Sequence, residues 1–149
     1  MLRKELIVID VEGSSDEEVL RSLGARFVVA GVAKESFPDA LVERERRYPT
    51  ALPATAFAIA VPDTFKEHIK EPAMGVGILA HPVAFHQMGS PEITLQVELL
   101  FMLAVKDPAE QIATLKQIMK LIQNEEMLKA IKHAASVDEV YEMVSSVLN

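Results

Sequence analysis

Arg44 to His68 reads RERRYPTALPATAFAIAVPDTFKEH, and its middle, Phe57-Ala-Ile-Ala-Val61 running into Pro62-Asp63-Thr64, decides the fold. A short apolar run that meets a proline and then polar residues is a buried strand ending in a turn. Thr64 and Glu67 have capping-box spacing, so a helix is expected to start here, with its free N–H groups and positive dipole end forming an anion site beside Asp63. Upstream, Ser36, Pro38 and Asp39 signal a helix start, and that helix carries Arg44-Glu45-Arg46-Arg47 before stopping ahead of Pro49. Residues 49–56 read as a loop.

The pattern extends in both directions. Leu6 to Ile9 is a first buried strand, and Ser14 and Ser15 each precede a glutamate by three residues, a doubled helix-start signal. The helix that follows has a stripe of Val19, Leu20, Leu23, Phe27 and Val28 and ends before Gly31. Met74 to Leu79 reads as a strand and Leu95 to Val105 contains a longer one. Residues 81–91 read as loop-rich, with at most a short strand at Val83 to Phe85.

The last third is helical. Asp107-Pro108 with Glu110 starts a helix whose apolar stripe is Ile112, Leu115, Ile118, Met119 and Ile122; a short helix follows around Met127 to His133. Ser136 with Glu139 opens the final helix, with Val137, Val140, Tyr141, Val144 and Leu148 on one face. Interspersed strands and helices, without repeats or linkers, predict an α/β fold in which helices flank a mixed β-sheet. At 149 residues the chain is expected to form a single-domain sandwich spanning 1–149.

Composition narrows the function. Half the residues are apolar, tryptophan and cysteine are absent, and the net charge is -7. An acidic surface disfavours nucleic acid and anionic membranes, whose phosphates need basic partners. The longest uninterrupted apolar run, Leu99 to Val105, is far too short to cross a bilayer, and the interrupted run at the N-terminus is too short for a signal peptide. No direct membrane insertion and a cytoplasmic location are therefore expected. Phosphate-cradling, dinucleotide-binding and nucleophile-elbow motifs are absent, and no cofactor or metal is called for.

Arg44-Glu45, Pro49-Thr50 and Ala60-Val61-Pro62 resemble, in order and separation, the active-site region of the galactitol/fructose/mannitol type of enzyme IIA. These proteins are the phosphoryl carriers of the bacterial sugar phosphotransferase system. Pro82-Val83-x-Phe85-x-x-Met88-Gly89 extends the resemblance, and Leu103-Ala104-x-Lys106-Asp107-Pro108-x-x-Gln111 is similar to the galactitol branch. The resemblance implies a mannitol-type IIA sandwich. It also implies phosphoryl transfer from the histidine phosphocarrier protein to a IIB component, with a membrane IIC permease involved only indirectly.

One position departs from the family's pattern: Asp63 stands where the phosphorylated histidine is expected. An imidazole is nucleophilic when neutral and forms a transferable phosphoramidate, whereas an ionised carboxylate repels an incoming phosphoryl dianion. Asp63 is thus a candidate acceptor, or an N-cap that fills the anion site with its own charge, worth roughly 1 kcal/mol to stability. The second possibility makes the chain a non-transferring interaction or regulatory module. By resemblance Arg44 would clamp the anion, and Gln111 would stand where mannitol-type relatives place a second histidine.

His68 is a candidate substitute for the missing imidazole. On a helix from Asp63 it would lie about 7.5 Å further along and roughly 140° around. His81 and His86 make too thin a pattern for a metal site, His133 reads as a helix C-terminal charge, and Arg46 and Arg47 as a solvated or docking face.

Overall fold

A computed structural model describes residues 1–148. Its sheet grows from the continuous apolar segments. β1 (Leu2–Val11) runs parallel to β4 (Ala73–Gln87), which pairs antiparallel with β5 (Ser90–Ala104). β3 (Ala58–Ala60) lies parallel to β5 and antiparallel to β2 (Ala51–Leu52), and β2 in turn meets the far end of β4 at Gln87. Parallel and antiparallel pairs therefore share one five-stranded sheet.

Period-two alternation sends consecutive residues of β5 to opposite faces. Leu100, Met102 and Ala104 join one core with residues of α1 (Asp16–Val29) and α2 (Phe37–Arg47). Leu99, Phe101 and Leu103 join another core with α3 (Pro108–Leu121), α4 (Glu125–Lys132) and α5 (Val137–Leu148). Burial on both faces explains why β5 reads as unbroken apolar sequence there. The expected mixed sheet between helical layers is what forms.

The helix signals act mostly as read. Ser15 caps α1, its Oγ accepting the Glu18 N–H, and Glu18 accepts from the Ser14 N–H at 2.9 Å. Gly31, at φ +80°, takes the left-handed conformation after the α1 C-cap. Asp107 caps α3 through the Ala109 N–H, and His133 is the C-cap of α4. Val140 and Val144 of α5 are fully buried, with Val137, Tyr141 and Leu148 packed around them.

Three expectations are corrected. Residues 81–91 are not a loop: β4 and β5 continue as a hairpin, with Val83 and Phe85 buried and His81 and His86 exposed. Their pairing with Leu95–Val97 is non-local, and Pro82 is accommodated where the register shifts between Ile78 and Val83. In α3, Ile112 and Met119 face outward, while Thr114, Ile118 and Leu121 are buried, because α5 also packs on this helix and defines its inward side.

The third correction is the helix after Pro62. Only a 3₁₀ turn forms, Lys66–His68, and neither Thr64 nor Asp63 caps it. The segment is tied elsewhere. Lys34 N–H donates to the His68 carbonyl and Lys70 N–H to that of Val32, while Ala33 bridges Ile69. These backbone bonds hold Ile69 extended and leave too few residues for an α-helix.

Candidate functional site

Asp63 lies in the turn after β3 and lines a cavity of about 360 Å³. It reaches that position because Val61 N–H donates to the Thr50 carbonyl and Leu103 N–H to the Pro62 carbonyl, fixing the turn against β2 and β5. Facing it, the last turn of α2 presents Arg44, whose Nε donates to Asp63 Oδ1 at 3.3 Å. From the first turn of α3, Gln111 Nε2 donates to Asp63 Oδ2. Three candidates far apart in sequence thus converge on one carboxylate.

The Asp63 carboxylate is held by two side-chain donors, and not by helix N–H groups, so the N-cap role is not the one it takes. Burial pushes its pKa up, and the charge and hydrogen bond of Arg44 oppose that rise. Arg44 itself meets two rings, its guanidinium 4.5 Å from the Phe65 ring centroid and 5.1 Å from that of Tyr48. Cation–π contact with two rings restrains the guanidinium, whose Nε still reaches the anion.

His68 is not brought to this carboxylate. Its Nδ1 shares a hydrogen bond with Ser36 Oγ at 2.8 Å, and the ring lines a neighbouring cleft on another side of Arg44. Arg46 and Arg47 are exposed and pair with Glu17 at 2.7 Å and Glu43 at 3.4 Å. No group of three or more potential metal-ligating side chains exists among the described residues. The buried Thr64 Oγ1 has no hydrogen-bond partner among the described residues.

Several contributors were given no role at the site from the sequence, although Glu45 and Met88 stand in its motifs. Met88, at the tip of the β4–β5 hairpin, reaches the cavity because its N–H donates to the Ala51 carbonyl at 2.8 Å. Tyr48 and Phe65 carried no signal before the fold brought them around Arg44. Glu45 is buried, its oxygens accepting the Thr50 N–H and Oγ1–H at 2.8 Å each. Its position did carry a signal: Phe37, Leu41 and Glu45 are spaced i, i+4, i+8, and the first two are core.

This geometry can be set beside known proteins. The chain is 27% identical over 114 residues to the galactitol-specific EIIA component of the Escherichia coli (strain K12) phosphotransferase system, covering 76% of this chain and 75% of that one. Its fold matches the crystal structure of IIA mannitol from Escherichia coli with a TM-score of 0.80 at 23% identity, over 97% and 99% of the two chains. A complex of the Escherichia coli mannitol IIA with phosphorylated IIB matches with a TM-score of 0.81 at 22% identity, over 98% and 99%. The model of one family fits residues 1–147, and on that match the chain belongs to the phosphoenolpyruvate-dependent sugar phosphotransferase system EIIA 2 family.

Proposed function

We propose that this chain, acting as one domain over residues 1–149, is the galactitol-like IIA phosphoryl carrier of a sugar phosphotransferase system, with Asp63 at the acceptor position. The observation that carries the reading is the convergence of Arg44 and Gln111 on Asp63. A phosphoryl group arriving there meets a planar cation and an amide donor, the pair that a dianion requires. In the transfer, an Asp63 oxygen attacks phosphorus as the donor's P–N bond breaks, giving an acyl phosphate; a nucleophile on the IIB partner then takes the group. The donor is the histidine phosphocarrier protein, the site of action is the cytoplasm, and the IIC permease handles the sugar.

A second reading is favoured by one specific feature. Both oxygens of Asp63 are already taken by Arg44 and Gln111, so the carboxylate occupies the place where a phosphoryl group would bind. On that reading the chain is a non-transferring interaction module whose site carries a permanent negative charge.

Phosphoryl transfer separates them. Incubation with phosphorylated carrier protein, followed by mapping of the label, yields label at Asp63 if the chain is a carrier. If the wild type stays unlabelled and Asp63→His gains label, the interaction-module reading holds. Label at His68 and none at Asp63 would overturn both.

A further inference from the structure

We propose that Glu45 is a positioning residue that locks Arg44 and Asp63 into register through Thr50, and that its carboxyl is electrostatically coupled to the charge carried at position 63. The consequence for phosphate rests on the carrier reading above; the coupling itself does not. Four contacts close a circuit. Glu45 accepts both the N–H and the hydroxyl of Thr50, and the Thr50 carbonyl accepts from Val61 N–H at 3.2 Å. Pro62 follows Val61, and Asp63 returns to Arg44, the residue beside Glu45, at 3.3 Å. The two hydrogen bonds from Thr50 to Glu45 thus tie the α2 end to the β2 start. Loss of the clamp therefore frees the Tyr48-Pro49-Thr50 wall of the cavity and the α2 turn that aims Arg44.

The charged surroundings decide the second half. Facing Glu45 from α1 are Asp16 and Glu17, the latter paired with Arg21 and Arg46. From its own helix comes Arg46, which lines the same cleft, and Asp63 acts on Glu45 through its charge. Burial raises the Glu45 pKa to about 7 against the opposing Thr50 hydrogen bonds, and the negative charges of Asp16 and Asp63 add to the rise. A negative charge at position 63 thus favours the protonated form of Glu45, and a phosphoryl dianion there favours it further.

The Thr50 amide is a direct reporter, because its N–H donates to Glu45. In the full chain, its NMR shift is expected to titrate with a midpoint near 7. That titration disappears in Glu45→Gln, and its midpoint falls in Asp63→Asn. The Arg44 Nε–H resonance is expected to move in Glu45→Ala and return towards its wild-type position in Glu45→Gln, whose amide oxygen can accept the Thr50 N–H while its NH2 donates to the Thr50 hydroxyl oxygen. A Thr50 amide that does not titrate, or a midpoint unmoved in Asp63→Asn, overturns the coupling; an Arg44 resonance unmoved in Glu45→Ala overturns the positioning role. If Glu45→Ala does not fold while Glu45→Gln does, the need for the clamp is shown, and the other two variants decide the rest. Failure of the carrier reading has a different signature: no label at Asp63, with the Thr50 titration intact.

Discussion

Glu45 is 5% exposed and forms no ion pair among the described residues, so its burial is an energetic cost that depends on pH. Its native pKa is raised from 4.5 to about 7, so within that window the native state binds more protons than the unfolded chain. Stability then falls as pH rises from 4.5 to about 7 and levels off above it, by an amount on the order of 2–3 kcal/mol. Glu45→Gln can still bond Thr50 twice, its oxygen accepting the N–H and its NH2 donating to Oγ1, without a titrating charge. It is therefore expected to match the wild type at the acid end and to exceed it by that amount above the window, as urea denaturation at the two pH values would measure. Equal stability of the two proteins above pH 7 contradicts this. For Asp63, removal of Arg44 takes away the cation that opposes the burial effect, so Arg44→Ala is expected to raise the Asp63 pKa further, measurable from its carboxyl carbon shift.

At the scale of the element, the β4–β5 hairpin supplies the longest ladder of the sheet and one wall of the cavity. Its glycines do different work. Gly89 closes the Met88-Gly89 turn at φ +77° with open space where a side chain would stand, so Gly89→Ala meets backbone strain alone, about 1–2 kcal/mol. Gly75 faces α1, and a Cβ there would stand 2.6 Å from the Leu6 carbonyl oxygen and 2.9 Å from the Phe27 ring. The carbonyl belongs to the neighbouring strand and cannot rotate away, so Gly75→Ala is expected to cost more, roughly 2–3 kcal/mol. Chemical denaturation of the two variants checks the order. The hairpin was only half legible: its apolar runs and a short strand at Val83 to Phe85 could be read, but the continuation of both strands to the Met88-Gly89 turn rests on pairing across the hairpin.

At the scale of the molecule, the sheet separates two apolar cores of comparable standing. Phe27 stacks on Phe37 in one, ring centroids 5.3 Å apart, and Phe101 lies fully buried in the other. Phe27→Ala and Phe101→Ala are each expected to destabilise by about 3–5 kcal/mol, and because they lie on opposite faces their effects should add. Thermal or urea unfolding of the double variant tests additivity. The site sits where the layers meet: α2 brings Arg44 from one side, α3 brings Gln111 from the other, and the turn after β3 places Asp63 between them.

The chain's local signals determined its helices, its buried strands and the α/β class, because periodicity, caps and prolines act within a few residues of one another. The order of Arg44, Asp63 and Gln111 along the family's motifs was equally open to reading. The tertiary structure alone decided that the segment after Pro62 forms a 3₁₀ turn, since Ala33 and Val32 capture its backbone. It also decided that Asp63 is held by Arg44 and Gln111 in place of a helix end, that His68 turns to Ser36, and that Glu45 is buried. Each of these depends on a partner that local sequence does not contain, and a buried charge or a hydrogen bond is settled by whichever donor the fold brings within reach.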